Sequence, residues 1–289
     1  MVKFFVLSRF IVRFYKSSIV FLYFLVASHN FTMYFQKGFF MINSNTFSNF
    51  NSKYPIYADL HTHSISSGHG SEDTITDMIR CASESGLSLF GISDHGPATS
   101  SSAKPSYFQS LKLADRDRFG IRVLYGAELN IINTAGDVDL DDDTLSTLDY
   151  AIISIHPPIF KPYHDKDLSS AYIRAMDHPK VRFLGHIDDA RFPVDFEYLL
   201  EIAKEKHVYP EINNGSLMPD AYRINGQENC RRILSICKKL DLPVLLSSDS
   251  HGKKNIGNMQ YIFPLLEELD FPAHLVLNSD LSALSEIIR

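Results

Sequence analysis

The sequence predicts a parallel α/β fold, a barrel of strands wrapped by helices, and three observations predict it. From residue 54 onward, short apolar or β-branched runs alternate with amphipathic helical stretches. Seven such runs occur, at residues 56–60, 87–93, 121–127, 150–155, 181–185, 208–212 and 243–247. Metal-ligand residue types follow six of the seven, and in a parallel barrel those carboxyl ends share one face.

The helical stretches carry apolar residues at i, i+3, i+4 and i+7. Ile75, Met78, Ile79 and Ala82 mark the first, with Ser71, Glu72 and Asp73 expected as cap and first-turn acids and Gly86 as the stop. Cys230, Ile233, Leu234 and Cys237 mark another, so these two cysteines read as buried filler. Residues 196–206 and 259–269 predict two more. Residues 137–143 read as an acidic solvated loop.

The chain has 289 residues, 45% apolar and 21% charged, which excludes a disordered polymer and a collagen-like repeat. Three scattered cysteines without C-x-x-C exclude a disulfide framework and a thiolate zinc site. Six of the 28 basic residues and none of the 34 acidic ones lie in residues 1–53, leaving residues 54–289 at a net −12. That step marks a boundary. The apolar run at 19–27 is shorter than the roughly 18–20 residues of a membrane span. Residues 1–53 therefore read as a leader outside the fold: a secretory signal ending near Val26-Ala27-Ser28, a peripheral anchor, or translated sequence upstream of a start at Met33 or Met41. Residues 54–289 are expected to be cytoplasmic, with secretion or membrane association left open by the leader.

The strand ends carry the chemistry. The first run leads into His61 and His63, with His69 beyond; the second into Asp94-His95; the third into Glu128. The fourth meets His156, the fifth His186, the sixth Asn213-Asn214, and the seventh Asp249-Ser250-His251. A lone histidine after a strand is ordinarily a surface or hydrogen-bonded residue. Seven of the twelve histidines fall in these junctions, and joint placement is what argues for a shared site. His29, His164, His178, His207 and His274 read as surface or structural. Within His61-Thr62-His63, alternate residues of an extended segment offer two imidazoles to one ion. Seven imidazoles and two carboxylates exceed the three or four ligands of one tetrahedral ion and suit two or three ions. Imidazole with carboxylate favours zinc, manganese or iron over calcium or magnesium. Paired ions suit in-line displacement at phosphorus. Neither a P-loop nor a dinucleotide-binding glycine pattern occurs.

Asp59-Leu60-His61-Thr62-His63, Ser93-Asp94-His95-Gly96-Pro97, Gly126-Ala127-Glu128 and Ser248-Asp249-Ser250-His251 resemble motifs of the polymerase-and-histidinol-phosphatase (PHP) family of metal-dependent phosphoesterases. Glu211-Ile212-Asn213-Asn214 and Glu228-Asn229-Cys230-Arg231 are similar to its stand-alone bacterial phosphatase branch, the YcdX-like proteins. The resemblance runs from about residue 54 to the end. It implies a distorted seven-stranded (β/α)7 TIM-like barrel holding three metal ions, zinc or manganese. Carried over by motif, His61, His63, Glu128 and Asp249 hold the first ion, and Glu128 bridges to a second held with His156 and His186. His69, His95 and His251 hold the third. Glu128 and Asp249 are expected to serve catalysis directly; Arg191 and Lys166, outside the motifs, are candidate phosphate contacts by charge, with ordinary surface charges as the alternative for each. Ile187 stands where some relatives have proline.

The expected activity is hydrolysis of a small phosphorylated metabolite by a metal-activated hydroxide. Histidinol phosphate is one candidate substrate, and the branch resemblance points to a less defined phosphomonoester. Exonuclease or phosphodiesterase activity is the runner-up. It is disfavoured by the net −12, because nucleic-acid binding rests on basic side chains. A non-catalytic scaffold predicts missing ligands, and none is missing. An amidohydrolase-like reaction lacks a lysine at a strand end. Neither a nucleic acid nor a membrane is an expected partner of residues 54–289.

Overall fold

Seven short strands form where the apolar runs lie: β1 (Ala58–Asp59), β2 (Leu89–Ile92), β3 (Ile121–Asn130), β4 (Tyr150–Ser154), β5 (Val181–Leu184), β6 (Tyr209–Asn213) and β7 (Leu245–Ser247). The computed structural model describes residues 4–7, 10–13, 53–157, 159–160 and 166–288. Phe4–Leu7 and Phe10–Arg13 pair as an antiparallel hairpin of their own. The run at 19–27 and the candidate starts Met33 and Met41 lie outside the described residues. Among those described, no helix is long and apolar enough to cross a membrane.

Each of the first six strands pairs in parallel with the next in chain order, and the sheet curls into a nearly closed barrel. No ladder joins β1 to β7 directly. One side chain does this instead. The Asn278 amide donates to Ala58 O (2.8 Å) and Leu246 O (2.7 Å) and accepts from Leu246 N (2.7 Å), while its backbone carbonyl receives Tyr57 N (3.0 Å). Asp59 ties the same seam higher up, accepting from Ser248 N and Oγ and from Gly257 N. Above it, Thr62–His63 pairs with Ser250–His251.

The period of two along each strand divides the core into two parts. Ala58, Leu89, Leu124, Tyr150, Ile152, Phe183 and Leu245 fill the barrel interior, which Leu284 and Ile288 close from below. Phe90, Ile92, Val123, Tyr125, Ala151 and Ile153 face outward to the helices. Tyr150 fills the centre, and its hydroxyl donates to Leu60 O. Glycine on two neighbouring strands makes room for it. A Cβ at Gly91 would lie 2.2 Å from the Tyr150 hydroxyl, and one at Gly126 would lie 2.8 Å from its ring.

Eight helices cover the barrel among the described residues: α1 (Ile75–Glu84), α2 (Pro105–Ser110), α3 (Asp142–Leu145), α4 (Ser169–Ala175), α5 (Phe196–Glu205), α6 (Gly226–Leu240), α7 (Phe263–Glu268) and α8 (Leu281–Ile287). Two boundaries differ from expectation. The α1 cap is Thr74, which forms a reciprocal capping box with Asp77, rather than any of residues 71–73. Asp73 instead binds Lys253, through its backbone N–H (2.9 Å) and its ammonium (3.0 Å). The last predicted helix, 259–269, begins only at Phe263. Pro264 supplies no N–H and clashes with a preceding helical carbonyl, so it belongs in a first turn. Cys230 and Cys237 are buried on α6 as read.

Candidate metal centre

On β3 the inward face that carries Leu124 and Gly126 continues to Glu128, which places a buried carboxylate on top of the apolar plug. Around it stand the other strand ends. His61 and His63 follow β1, His95 follows β2, His156 follows β4, His186 follows β5, and Asp249 and His251 follow β7. His69 lies on the exposed rim. His186 (φ 29°) and Asp249 (φ 52°) both turn inward through left-handed backbone, a conformation that costs non-glycine residues of order 1–3 kcal/mol.

All nine predicted side chains come together. The seven imidazoles form a continuous chain of rings. Centroid separations are 5.0 Å for His61–His63, 4.2 Å for His63–His95, 4.3 Å for His63–His251, 4.9 Å for His69–His95, 5.1 Å for His95–His156 and 5.0 Å for His156–His186. Glu128 Oε1 lies 3.4 Å from His61 Nε2, 3.4 Å from His156 Nε2 and 2.9 Å from His186 Nε2. Its Oε2 lies 2.6 Å from His95 Nδ1 and 3.6 Å from His63 Nε2. Asp249 Oδ1 lies 3.2 Å from His63 Nε2 and 3.7 Å from His61 Nε2.

The donor atoms fit divalent ions. His61 Nε2, His63 Nε2, His95 Nδ1, His251 Nε2 and Glu128 Oε2 are buried without a hydrogen-bond partner. His95 Nδ1 and Glu128 Oε2 are close but not aligned as donor and acceptor, as expected of two ligands aimed at a common point. Ligands about 2.0–2.1 Å from a tetrahedral ion stand roughly 3.3 Å apart, near most of the separations above. Three triads have ligand atoms within 4.8 Å of one another: His63–His95–His251, His61–His63–Asp249 and His95–Glu128–His156. His69 stands beside the first of these, 5.0 Å from the His251 ring.

The far nitrogens are held from behind. His61 Nδ1 meets Glu211 Oε1 at 2.5 Å, His156 Nδ1 meets Asn130 Oδ1 at 2.7 Å, and His63 Nδ1 meets Ser67 Oγ at 3.0 Å. Ser67 donates in turn to Asp94 (2.7 Å), so its oxygen receives the His63 proton. Each contact leaves a lone pair pointing inward, the usual orientation of metal-binding histidine.

Charge follows the same plan. Burial, with His95 and His251 alongside, holds His63 well below the ordinary imidazole range, and His69 is lowered by the same causes. Burial opposes ionisation of Glu128, yet His156, His61 and His95 hold its carboxyl well below the usual range. Against the same penalty, His61 and the Arg223 guanidinium do so for Asp249. Burial likewise disfavours a proton on His61, but Glu211, Glu128 and Asp249 push it well above the ordinary value. A cluster that draws a proton this way also draws a cation.

Sequence reasoning assigned no role to Arg223. Its side chain is 7% exposed, donates to Asp249 Oδ2 at 2.8 Å, and also reaches Asn213 Oδ1 and Ser216 Oγ at 3.2 Å. No periodicity marks a residue in that loop. Glu211 was legible in principle, because it shares the inward face of β6 with Asn213. Asn213 itself donates to Asp249 Oδ2 (3.1 Å). Above the cluster opens a cavity of about 710 Å³ that Arg191, Tyr222 and Arg223 help to line. Arg191 faces it while bound to Asp189 (2.9 Å to each oxygen). Lys166 is not among the described residues that line this cavity. His178 pairs with Asp142 and His274 with Asp241, away from the cluster, and His29 and His164 lie outside the described residues.

A parallel barrel with histidines and carboxylates converging at its strand ends defines a metal-binding α/β-barrel protein. More particularly, the chain belongs to the PHP domain family, whose domain matches residues 59–215. It is 36% identical over 231 residues to a probable phosphatase of Clostridium acetobutylicum, covering 80% of this chain and 93% of that protein. A probable phosphatase of Clostridium novyi is 35% identical, covering 77% and 90%. The fold is similar to that of a putative histidinol phosphatase from Listeria monocytogenes (TM-score 0.55, 19% identity, 71% of this chain and 99% of that one). It is also similar to a histidinol phosphate phosphatase from Lactococcus lactis, complexed with zinc, L-histidinol and phosphate (TM-score 0.52, 19% identity, 74% and 94%).

Proposed function

We propose that this chain is a metal-dependent phosphatase of small phosphomonoesters. Its ligands are His61, His63, His69, His95, Glu128, His156, His186, Asp249 and His251, holding three divalent ions, zinc or manganese with iron a further candidate. The observation that carries this reading is the set of buried, partnerless donor atoms around Glu128. The probable phosphatases among its relatives support it, as does the zinc of the Lactococcus neighbour. When bound, such ions supply Lewis acidity to the phosphoryl oxygens and make water nucleophilic at neutral pH.

The chain's own residues prepare the site for that chemistry. Glu128 stays ionised at the centre and faces five histidines from four strand ends. Arg223 holds one oxygen of Asp249 and thereby directs the other at His63 and His61. Arg191, anchored by Asp189 at the cavity wall, is the cation that meets a phosphoryl oxygen. No observation favours a nucleic-acid substrate.

The test is phosphate release from p-nitrophenyl phosphate by the purified full-length chain with added Mn²⁺ or Zn²⁺. Metal-dependent turnover is expected. Failure with manganese, zinc and iron alike overturns the reading.

A further inference from the structure

Beyond the metal cluster, the cavity's described lining carries two guanidinium groups, each already paired with a carboxylate. Among its described lining residues the carboxylates are Glu128 and Asp249, and both face the histidines. The guanidinium groups of Arg191 and Arg223 lie on the same walls. Between them stands Tyr222. The Arg191 guanidinium carbon is 4.5 Å from its ring centroid and that of Arg223 is 5.5 Å away, yet Tyr222 remains 60% exposed. Arg191 is itself held by Asp189, so ring and cation are in place before a ligand arrives and little ordering is left to oppose binding. Among the described lining residues an ammonium finds no carboxylate that is not already turned to a histidine or a guanidinium, and a charge that gives up water without a partner is costly. An aromatic or flat group meets a ring with exposed surface, and offset or edge contacts between rings are favourable.

We propose that Tyr222, braced by Arg191, is the specificity-determining platform for the leaving alcohol. It selects phosphomonoesters of aromatic or flat alcohols that carry no positive charge, and the site rejects amine-bearing esters, histidinol phosphate included. The inference rests on the phosphomonoesterase reading above.

The full-length, metal-loaded protein is compared on benzyl phosphate, 4-(aminomethyl)benzyl phosphate, ethyl phosphate and histidinol phosphate, all esters of alkyl alcohols. Benzyl phosphate is expected to exceed its aminomethyl analogue at least about tenfold in kcat/KM, with histidinol phosphate no better than that amine. Tyr222→Ala raises KM for benzyl phosphate about tenfold, leaves that for ethyl phosphate nearly unchanged, and is rescued by Tyr222→Phe. Equal or better turnover of the amines, or an unchanged benzyl-to-ethyl KM ratio in Tyr222→Ala, overturns the inference. Calorimetric binding of benzylphosphonate against 4-(aminomethyl)benzylphosphonate gives the same comparison without catalysis. If no ester turns over, the phosphatase reading fails, and the phosphonate pair still decides the charge preference: tighter aminomethyl binding refutes it.

Discussion

Glu211 Oε1 lies 2.5 Å from His61 Nδ1 inside the barrel, and both side chains are fully buried. The other oxygen of the same carboxylate receives the backbone N–H of His186 at 2.7 Å. One glutamate on β6 therefore orients two site histidines that follow different strands. Glu211→Gln keeps the shape but weakens the grip on the His61 proton. Metal affinity should fall roughly 10–100-fold, read by chelator competition. Unchanged affinity would show that Glu211 merely fills space.

Glu128 touches five of the histidines, so its loss should not be local. Glu128→Ala is expected to lower bound metal and phosphatase activity together. Elemental analysis of the purified variant decides the matter, because normal metal stoichiometry refutes a bridging role.

Removal of metal leaves five buried donor atoms, on His61, His63, His95, His251 and Glu128, with no partner. Chelation should therefore lower the melting temperature, and re-addition should restore it in proportion to occupancy. At free metal of about 100 Kd the stabilisation is about 2.7 kcal/mol. A melting curve indifferent to chelator and metal would contradict the ligand assignment.

Asn278 spans the β1–β7 gap with three side-chain hydrogen bonds, far below the metal cluster in the layering of the barrel. Asn278→Ala strands buried backbone groups on both strands, each worth about 1–3 kcal/mol when unsatisfied. A loss of roughly 2–4 kcal/mol in urea unfolding is expected, with kcat nearly intact in the fraction still folded. A change below about 0.5 kcal/mol would mean that the Asn278 side chain contributes little to closing the barrel.

Burial pushes the Cys230 and Cys237 thiols up, and Cys81, half-buried, is raised as well. Native alkylation at neutral pH should label Cys81 slowly and leave the two α6 cysteines unmodified until the chain unfolds. Peptide mass mapping after iodoacetamide treatment shows the order, and early labelling of Cys237 would contradict the buried α6 face.

Much of the fold was legible along the chain. Seven apolar runs became seven strands because a short, near-continuous run of apolar and β-branched side chains suits a parallel strand buried on both faces. The ends of α1 and α7 were less legible. Thr74 outcompetes its neighbours as a cap through a reciprocal bond with Asp77, and Pro264 sets where α7 begins. The nine side chains at the cluster were readable because strand direction alone carries every junction to one end of a parallel barrel.

Sequence by itself determined that imidazoles and carboxylates would meet, since chain order and strand polarity are local properties. Tertiary structure alone decided what stands behind and above them. Arg223 against Asp249, Asn278 across the open seam and Tyr222 over the cavity pair residues with no common periodicity. Their partners are chosen by through-space distance and burial, which no spacing along the chain encodes.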